Sequence, residues 1–364
     1  MCTSISLPLP DGRRLFGRTL DLDEHFGECV LLAPRGFSFR IGERGRPSDC
    51  RDTLPLDVAQ SRHAILGVAR PEDGYPLFAD AMNDGGLCMA GLRFARYAVY
   101  LPVKGRHPDL TSLSLSARGE TLAVDAPHRS PDIELAPWEL IPFVLGQCAN
   151  LAEARRYLAR VRLVDIPFSS GGSAAPLPNA PLHWHISGAT AEEGALVVEP
   201  TAAGLQVYED VSLGVLTNAP PYPAHLAGLS VLARDVSPCD ATGHLRAPAM
   251  LPSGYDSPSR FRRGVAVRRA ALVELARGYV TAAPIPLLVS LFAAVAPPPG
   301  MVPRPGAPSQ RTLYTACADP AARTYTVFTE RDAVPVVVSL PPLDDREASP
   351  PTGESALIFY TEGV

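Results

Sequence analysis

The beginning of the chain predicts a β-hairpin whose first strand starts at residue 2. Residues 2–8 and 13–20 read as strands. Between them, Pro10-Asp11-Gly12 predicts a turn, because glycine tolerates the positive φ that tight turns need. The chain is therefore expected to open inside a β-sheet, and this constrains the possible folds more than any other feature.

Further strand-like segments alternate with amphipathic helical ones. The strand-like segments are 30–34, 63–69, 87–94, 183–188, 195–199, 204–209, 213–217, 311–317, 323–329 and 334–340. Helical periodicity covers 137–148, 151–161, 258–277 and 284–295, and Asn150 followed by Glu153 resembles a capping box. This order favours helices packed on the two outer faces of stacked sheets.

The composition is that of a globular protein acting on small molecules. Among 364 residues, 46% are apolar and 20% charged, which supports a sizeable core. The net charge of -5 and the lack of a basic run indicate neither nucleic acid nor an anionic membrane as partner. Lys104 is the only lysine, which practically excludes a Schiff-base enzyme or a Gly-Lys-Ser/Thr phosphate loop.

Loops and targeting signals complete the organisation. The start lacks a secretory signal and no apolar run reaches the length of a membrane span, which predicts a cytoplasmic protein. Segments 103–135, 167–181, 237–257 and 296–309 read as loops, and we expect one domain over 1–364 with insertions in the first three. The seven cysteines are scattered without Cys-x-x-Cys spacing, so neither structural zinc nor a disulfide framework is predicted.

Cys2 is the residue best suited to nucleophilic chemistry. Loss of Met1 would place its thiol beside its own α-amine, and such amines titrate at about 7.7 to 8.0, so a fraction can accept the thiol proton at neutral pH. Arg18 and Asp21 lie three apart on the strand expected to pair with the first. A cation favours a thiolate and a carboxylate can orient an ammonium group, although a surface salt bridge on a hairpin is an alternative.

Other candidate sites are weaker. His183 and His185 lie two apart on a predicted strand, but no carboxylate or thiol has convincing metal-ligand spacing, so a structural role is favoured and no metal or cofactor is predicted. A serine hydrolase is disfavoured because the chain has no Gly-x-Ser-x-Gly elbow.

The motifs together resemble the choloylglycine hydrolase family, which includes bile salt hydrolases and penicillin V acylases. The segments that carry the resemblance are Met1-Cys2-Thr3-Ser4, Gly17-Arg18-Thr19-Leu20-Asp21-Leu22, Tyr75-Pro76-Leu77, Asn83-Asp84-Gly85-Gly86-Leu87, Met89-Ala90-Gly91-Leu92, Glu139-Leu140-Ile141-Pro142, Leu145-Gly146-Gln147-Cys148, Pro181-Leu182-His183-Trp184, Val215-Leu216-Thr217-Asn218, Leu251-Pro252-Ser253-Gly254-Tyr255, Ser257-Pro258-Ser259-Arg260-Phe261, Tyr314-Thr315-Ala316-Cys317 and Thr324-Tyr325-Thr326. They cover most of the chain.

The resemblance implies an α+β fold, the four-layer αββα sandwich of N-terminal-nucleophile hydrolases, and hydrolysis of an N-acyl amide. By this resemblance, Cys2 is the nucleophile and its α-amine is the base. Arg18 supports the thiolate, Asp21 supports the amine and Arg260 completes the charged network. The side chain of Asn218 and the main-chain N–H of Arg93 are the oxyanion donors. The resemblance also implies a homo-oligomer, dimer or tetramer.

Two departures leave the substrate open. Arg93 stands where bile salt hydrolases usually have Asn and penicillin V acylases Tyr, and Ala219 stands where a second Asn often follows Asn218. The expected partner is a small N-acyl substrate: a bile salt, a phenoxyacetyl penicillin, an acyl-homoserine lactone or a biosynthetic intermediate. Acyl transfer through the same Cys2 thioester and a silent ligand-binding relative are the alternative functions.

Overall fold

The computed structural model describes residues 1–39, 60–102, 133–169, 175–210, 212–235, 251–280, 282–341 and 356–361. The strands in these ranges are β1 Cys2–Pro8, β2 Arg14–Leu22, β3 Cys29–Ala33, β4 Ile65–Glu72, β5 Tyr75–Asn83, β6 Cys88–Arg93, β7 Ile133–Leu135, β8 Val161–Leu163, β9 Leu182–Ser187, β10 Ala195–Thr201, β11 Gly204–Asp210, β12 Val215–Leu216, β13 Val302–Arg304, β14 Ala307–Asp319, β15 Thr324–Thr329, β16 Val336–Ser339 and β17 Ile358–Phe359. The α-helices are α1 Leu140–Gln147, α2 Leu151–Leu158, α3 Tyr222–Asp235, α4 Ser257–Ala276 and α5 Pro284–Ala293, and a 3₁₀ turn spans Pro137–Glu139.

Two antiparallel sheets hold most of these strands. The first sheet has the order β12-β1-β2-β14-β15-β16, with β13 paired to β14. The second has the order β11-β10-β9-β6-β5-β4-β3-β17. β7 and β8 form a separate parallel pair. The N-terminal strand is therefore internal in its sheet, between β12 and β2.

Both faces of the sheets are covered, which gives four layers. In β4, Leu66 and Val68 pack in one core cluster, whereas Ile65 packs in the other, because successive side chains of a strand point to opposite faces. Helix α1 packs on β4, β5 and β6 of the second sheet, while α4 and α5 pack on β1, β2 and β14 of the first. The predicted αββα sandwich is confirmed.

The opening hairpin forms as its sequence predicts. β1 pairs with β2 in the register Cys2↔Leu20 and Ser4↔Arg18. Gly12 in the turn has a φ of 87°, which favours glycine. Residues paired across antiparallel strands face the same side, as do residues two apart on one strand. Cys2 pairs with Leu20, two residues from Arg18, so Cys2 and Arg18 lie on the same face of the first sheet.

The helix α2 starts at the predicted cap with one difference. Asn150 accepts a hydrogen bond from the main-chain N–H of Glu153 at 3.0 Å, as an N-cap does. The Glu153 carboxylate, however, accepts from the N–H of Ala149 at 2.9 Å and not from that of Asn150. The Glu153 side chain thus accepts from the N–H one residue before the N-cap, whereas in a capping box it accepts from the N–H of the N-cap residue itself.

Some elements differ from the sequence prediction. The loop predicted over 296–309 is wrong in its second half, because β13 pairs with the start of β14 there as a hairpin extension. The end of the 103–135 loop is the short strand β7, and 167–181 contains a bridge between Phe168 and Leu177. Most of the insertions predicted over 103–135 and 237–257 lie outside the described residues. No helix in the described part is long and apolar enough to cross a membrane.

Candidate active site

Cys2 lies inside the sandwich and not at a frayed end. It is 4% exposed, and its main-chain nitrogen donates to Oδ1 of Asn218 at 2.8 Å. The α-amine of Met1 donates to the main-chain oxygen of Asp21, and burial lowers the pKa of that amine. The position of a Cys2 α-amine after Met1 removal is therefore marked by the Cys2 nitrogen, beside an amide oxygen.

Arg18 extends from β2 into the space between the two sheets. It is fully buried, and its Nη1 donates to the Asp80 carboxylate at 3.0 Å and to the Tyr314 hydroxyl at 3.3 Å. The carboxylate also accepts from the hydroxyls of Tyr314, at 2.6 Å, and Tyr325. Nη2 of Arg18 has no hydrogen-bond partner among the described residues. A buried carboxylate thus fixes one side of the guanidinium and leaves the other side available.

Asp21 is held by hydroxyl groups. The Thr312 hydroxyl donates to its Oδ1 at 2.7 Å and the Thr19 hydroxyl to its Oδ2 at 3.4 Å. Nη1 of Arg260 lies 4.0 Å from Oδ2, with both side chains fully buried. The carboxylate is therefore charge-balanced and oriented on a residue whose main-chain oxygen accepts from the Met1 α-amine.

Arg260 connects helix α4 to the N-terminal strand. Its Nη1 donates to the Cys2 carbonyl at 2.5 Å and to the Thr3 hydroxyl at 2.6 Å, while Nη2 donates to Asn218 Oδ1 at 2.7 Å. Burial lowers the pKa of this guanidinium, whereas Asp21 and Cys2 oppose that effect. The planar guanidinium of arginine can donate in two directions at once, so Arg260 links Cys2 to Asn218.

Asn218 and Arg93 meet at the edge of the site. Nδ2 of Asn218 donates to the main-chain oxygen of Arg93 at 2.9 Å, which leaves the second amide hydrogen free for another acceptor. Arg93 ends β6, and its side chain is exposed. The site residues expected from the sequence thus come together from β1, β2, β6, α4 and the segment after β12.

The two histidines of β9 have partners inside the protein. His183 contacts Glu199 Oε1 at 3.2 Å and the Thr217 carbonyl at 2.7 Å, and His185 contacts the Ser4 hydroxyl at 2.7 Å. Burial lowers the pKa of His185 to about 3, so its ring is neutral. In the described part of the chain, no group of three or more His, Cys, Asp or Glu side chains could hold a metal ion.

Sequence reasoning missed the residues that hold the site residues in place. Asp80 and Tyr314 orient Arg18, and Thr312 orients Asp21. A charged residue within the otherwise apolar run of β5 was an available signal for Asp80, because an aspartate is almost never fully buried unless it is paired. Nothing local distinguishes Thr312 from any other strand threonine.

Solved structures define the class of fold. A conjugated bile acid hydrolase from Clostridium perfringens matches with a TM-score of 0.74 at 23% identity over 100% of this chain and 98% of its own. A penicillin V acylase from Agrobacterium tumefaciens matches with a TM-score of 0.63 at 17% identity, over 93% of this chain and 86% of that one. The described sandwich is that of N-terminal-nucleophile hydrolases.

The family follows from the sequence comparisons. The model of the linear amide C-N hydrolases, choloylglycine hydrolase family, matches residues 2–111 and 120–341, and the chain belongs to this family. It is 28% identical over 346 residues to a conjugated bile acid hydrolase of Lactobacillus gasseri, covering 91% of this chain and 93% of that protein. A bile salt hydrolase/transferase of Lactiplantibacillus plantarum is 30% identical over 63% of this chain, and the match spans only 56% of its length.

Proposed function

We propose that the chain is a cysteine N-terminal-nucleophile amidase that hydrolyses the C–N bond of a small N-acyl amine. The observation that carries the proposal is the burial of Cys2 at a position where Asn218 and Arg260 both contact its main chain. The buried guanidinium of Arg18 lies on the same sheet face as Cys2, and a nearby cation favours a thiolate. A buried thiol in these surroundings is suited to nucleophilic chemistry.

The proposed first half-reaction forms a thioester. After loss of Met1, the α-amine of Cys2 accepts the thiol proton, and the thiolate attacks the acyl carbonyl. Arg18 stabilises the thiolate, and Asp21 with Asn218 Oδ1 orients the amine. The oxyanion accepts hydrogen bonds from the free amide hydrogen of Asn218 and from the N–H of Arg93. The protonated α-amine then returns its proton to the leaving nitrogen, so that the C–N bond breaks.

The second half-reaction releases the acyl group. The α-amine takes a proton from water, the resulting hydroxide attacks the thioester, and a carboxylic acid leaves as the Cys2 thiolate is regenerated. An acceptor amine could replace water at this step. The relatives called bile salt hydrolase/transferase favour acyl transfer as the second candidate function.

A substrate panel tests the proposal. The purified protein is mixed with glycine- and taurine-conjugated bile acids, penicillin V and an acyl-homoserine lactone, with and without an excess primary amine, and free amine and new amides are quantified. Release of amine that is lost in Cys2→Ala supports hydrolysis, while a new amide formed at the expense of free acid supports transfer. Ligand binding without turnover of any member would favour a silent relative.

Three further proposals concern the whole protein. We expect one domain over 1–364, a cytoplasmic location and a homo-oligomer, a dimer or a tetramer. Light scattering behind a size-exclusion column measures the number of chains per particle. Fractionation of the source cells measures the location.

A further inference from the structure

Two buried histidines, unused in the proposed mechanism, hold the main chain at Thr217 and Asn218. Nε2 of His225 lies 2.8 Å from the Asn218 carbonyl, which also accepts from the Ser257 hydroxyl at 2.8 Å. Nε2 of His183 lies 2.7 Å from the Thr217 carbonyl. Two consecutive carbonyl groups are thus each bonded to an imidazole from a different element.

The His225 hydrogen bond has a defined donor. The residue lies on α3, is 3% exposed and stacks on Phe261 with ring centroids 4.5 Å apart. Burial lowers the pKa of His225 to about 4, so the ring is neutral near pH 7. Because a carbonyl only accepts, Nε2 of this neutral ring carries the hydrogen.

His183 belongs to the same support. Its ring stacks on Phe94 with centroids 4.4 Å apart, and its Nδ1 lies 3.2 Å from Oε1 of Glu199. The same Oε1 accepts from the main-chain N–H of Tyr222, the first residue of α3, at 2.9 Å. Glu199 therefore ties His183 to the helix that carries His225.

The two histidine hydrogen bonds hold the backbone at Thr217 and Asn218, beyond the end of the β12 ladder. β12 pairs with β1 only through Val215 and Leu216, so the ladder ends before Asn218. An oxyanion donor must nevertheless be placed within fractions of an ångström, because its contribution comes from preorganisation. The two imidazoles supply at this point the main-chain hydrogen bonds that a longer strand would supply.

We propose that His225 is a positioning residue for the Asn218 amide, and that His183 supports the same peptide. The inference rests on the proposed function, in which Asn218 donates to the oxyanion. His225 touches no reacting atom and acts through the Asn218 main chain. The hydrogen bond from His225 to the Asn218 carbonyl should affect kcat more than KM, because the Asn218 amide donates to the oxyanion in the transition state.

Steady-state kinetics give the first test. His225→Phe keeps a ring on Phe261 but removes the donor, and kcat should fall by about 3-fold to 10-fold with KM little changed. His225→Gln should restore most of kcat, because its side-chain amide nitrogen reaches about as far as Nε2. Equal kcat in wild type and His225→Phe would overturn the proposal, as would a failure of His225→Gln to recover more than His225→Phe.

A double-mutant cycle separates positioning from general damage. Asn218→Ala alone should lower kcat by about 10²-fold to 10³-fold, and adding His225→Phe should then cost less than about twofold more. His185→Phe is the matched control, because His185 is equally buried but bonded to Ser4. Its effect should be the same in both backgrounds. Additivity of His225→Phe with Asn218→Ala would contradict the proposal.

A substrate-free measurement keeps this test separate from the proposed function. The chain contains four asparagines, Asn83, Asn150, Asn179 and Asn218, so ¹⁵N-asparagine labelling gives four side-chain ¹⁵N amide resonances. The signal that disappears in Asn218→Ala should shift in His225→Phe and return towards its place in His225→Gln, while the other three stay. An Asn218 signal that does not shift in His225→Phe would overturn the proposal that His225 positions the Asn218 amide. If no substrate of the panel is hydrolysed, the proposed function fails, and the amide signals still decide the role of His225.

Discussion

Cys2 differs from the other described cysteines in the charges around it. Burial raises the pKa of Cys29 to about 11 and that of Cys148 to about 12, so these thiols are protonated and poor nucleophiles at neutral pH. Cys2 instead shares its sheet face with Arg18, and its carbonyl accepts from Arg260. Reactivity is therefore expected at this thiol.

Alkylation tests this difference. Iodoacetamide should label Cys2 before the other thiols and abolish turnover in proportion, because only a thiolate reacts fast. Cys2→Ala should remove turnover and the fast-labelled peptide, whereas Cys29→Ala should keep both. Peptide mass spectrometry after timed labelling gives the order. Fast labelling of Cys29 or Cys148, with activity surviving in Cys2→Ala, would place the nucleophile elsewhere.

Arg93 is the residue at which this chain departs from both named activities. Its exposed side chain lies next to the carbonyl that contacts Asn218, so we expect it to recognise an anionic or carbonyl-rich group of the substrate. Arg93→Gln should cost about 1.5 to 3 kcal/mol in kcat/KM for a substrate bearing an anionic group, and much less for a neutral analogue.

The control for Arg93 is its neighbour Arg96, which is also exposed. Arg96→Gln should leave kcat/KM unchanged for both members of a matched pair of N-acyl substrates that differ only in the anionic group. Equal losses on the two substrates in Arg93→Gln would mean that Arg93 supports the scaffold and does not read the substrate.

At the level of elements, β2 must approach both its neighbour strand and a helix closely. A Cβ on Gly17 would lie 2.6 Å from the Ala316 carbonyl oxygen and 2.9 Å from a ring carbon of Phe292 on α5. The same strand carries Arg18 and Asp21. Any added volume at Gly17 therefore displaces either the sheet or α5, and with them the site.

Gly17→Ala should consequently lower the free energy of unfolding by about 1 to 3 kcal/mol, the usual cost of overpacking a core. Gly228→Ala on α3 is the control, because its Cβ meets only the flexible end of Arg262 at 3.1 Å and alanine is a better helix former than glycine. Chemical denaturation with matched m-values measures both. A loss in Gly228→Ala as large as in Gly17→Ala would argue against the close packing of β2.

The elements found from the sequence were those whose pattern is local. The opening hairpin and helices α2, α4 and α5 were predicted close to their observed bounds, and the capping side chains of α2 and α4 lie next to the helices in sequence. The helix α3 was not predicted, because prolines stand at 220, 221 and 223 and its residues do not form one apolar face. β5 was missed as a strand because Asp80 interrupts its apolar run, and that carboxylate is buried only through long-range partners.

At the scale of the whole molecule, the site residues far from the opening hairpin, Asn218, Arg93 and Arg260, were found from the sequence only through the family resemblance. Asn218 lies 216 residues from the Cys2 nitrogen that it contacts, and Arg260 lies 258 residues from the Cys2 carbonyl. No periodicity or spacing connects such positions. The supporting groups, such as Thr312 and His225, depend on tertiary packing that a single sequence does not reveal.

The buried start of the chain predicts a pH profile. Burial lowers the pKa of the Met1 α-amine, and we expect the same for the Cys2 amine in this site. The base must be neutral, so kcat/KM should fall as pH drops, with a midpoint below the ordinary value of about 8 for an α-amine. Asp21 opposes the lowering, so Asp21→Asn should move the midpoint further down. A midpoint at or above the ordinary value would contradict a buried amine as base.

We expect the active protein to lack Met1 and to carry its acyl intermediate on Cys2. The most direct measurement is the mass of the intact protein, and of its N-terminal peptide, after acid quenching during turnover. We predict a chain shortened by one methionine, with the acyl group of the substrate attached to the peptide that begins at Cys2. A fully active protein that retains Met1, or an acyl group found on any other residue, would contradict the account.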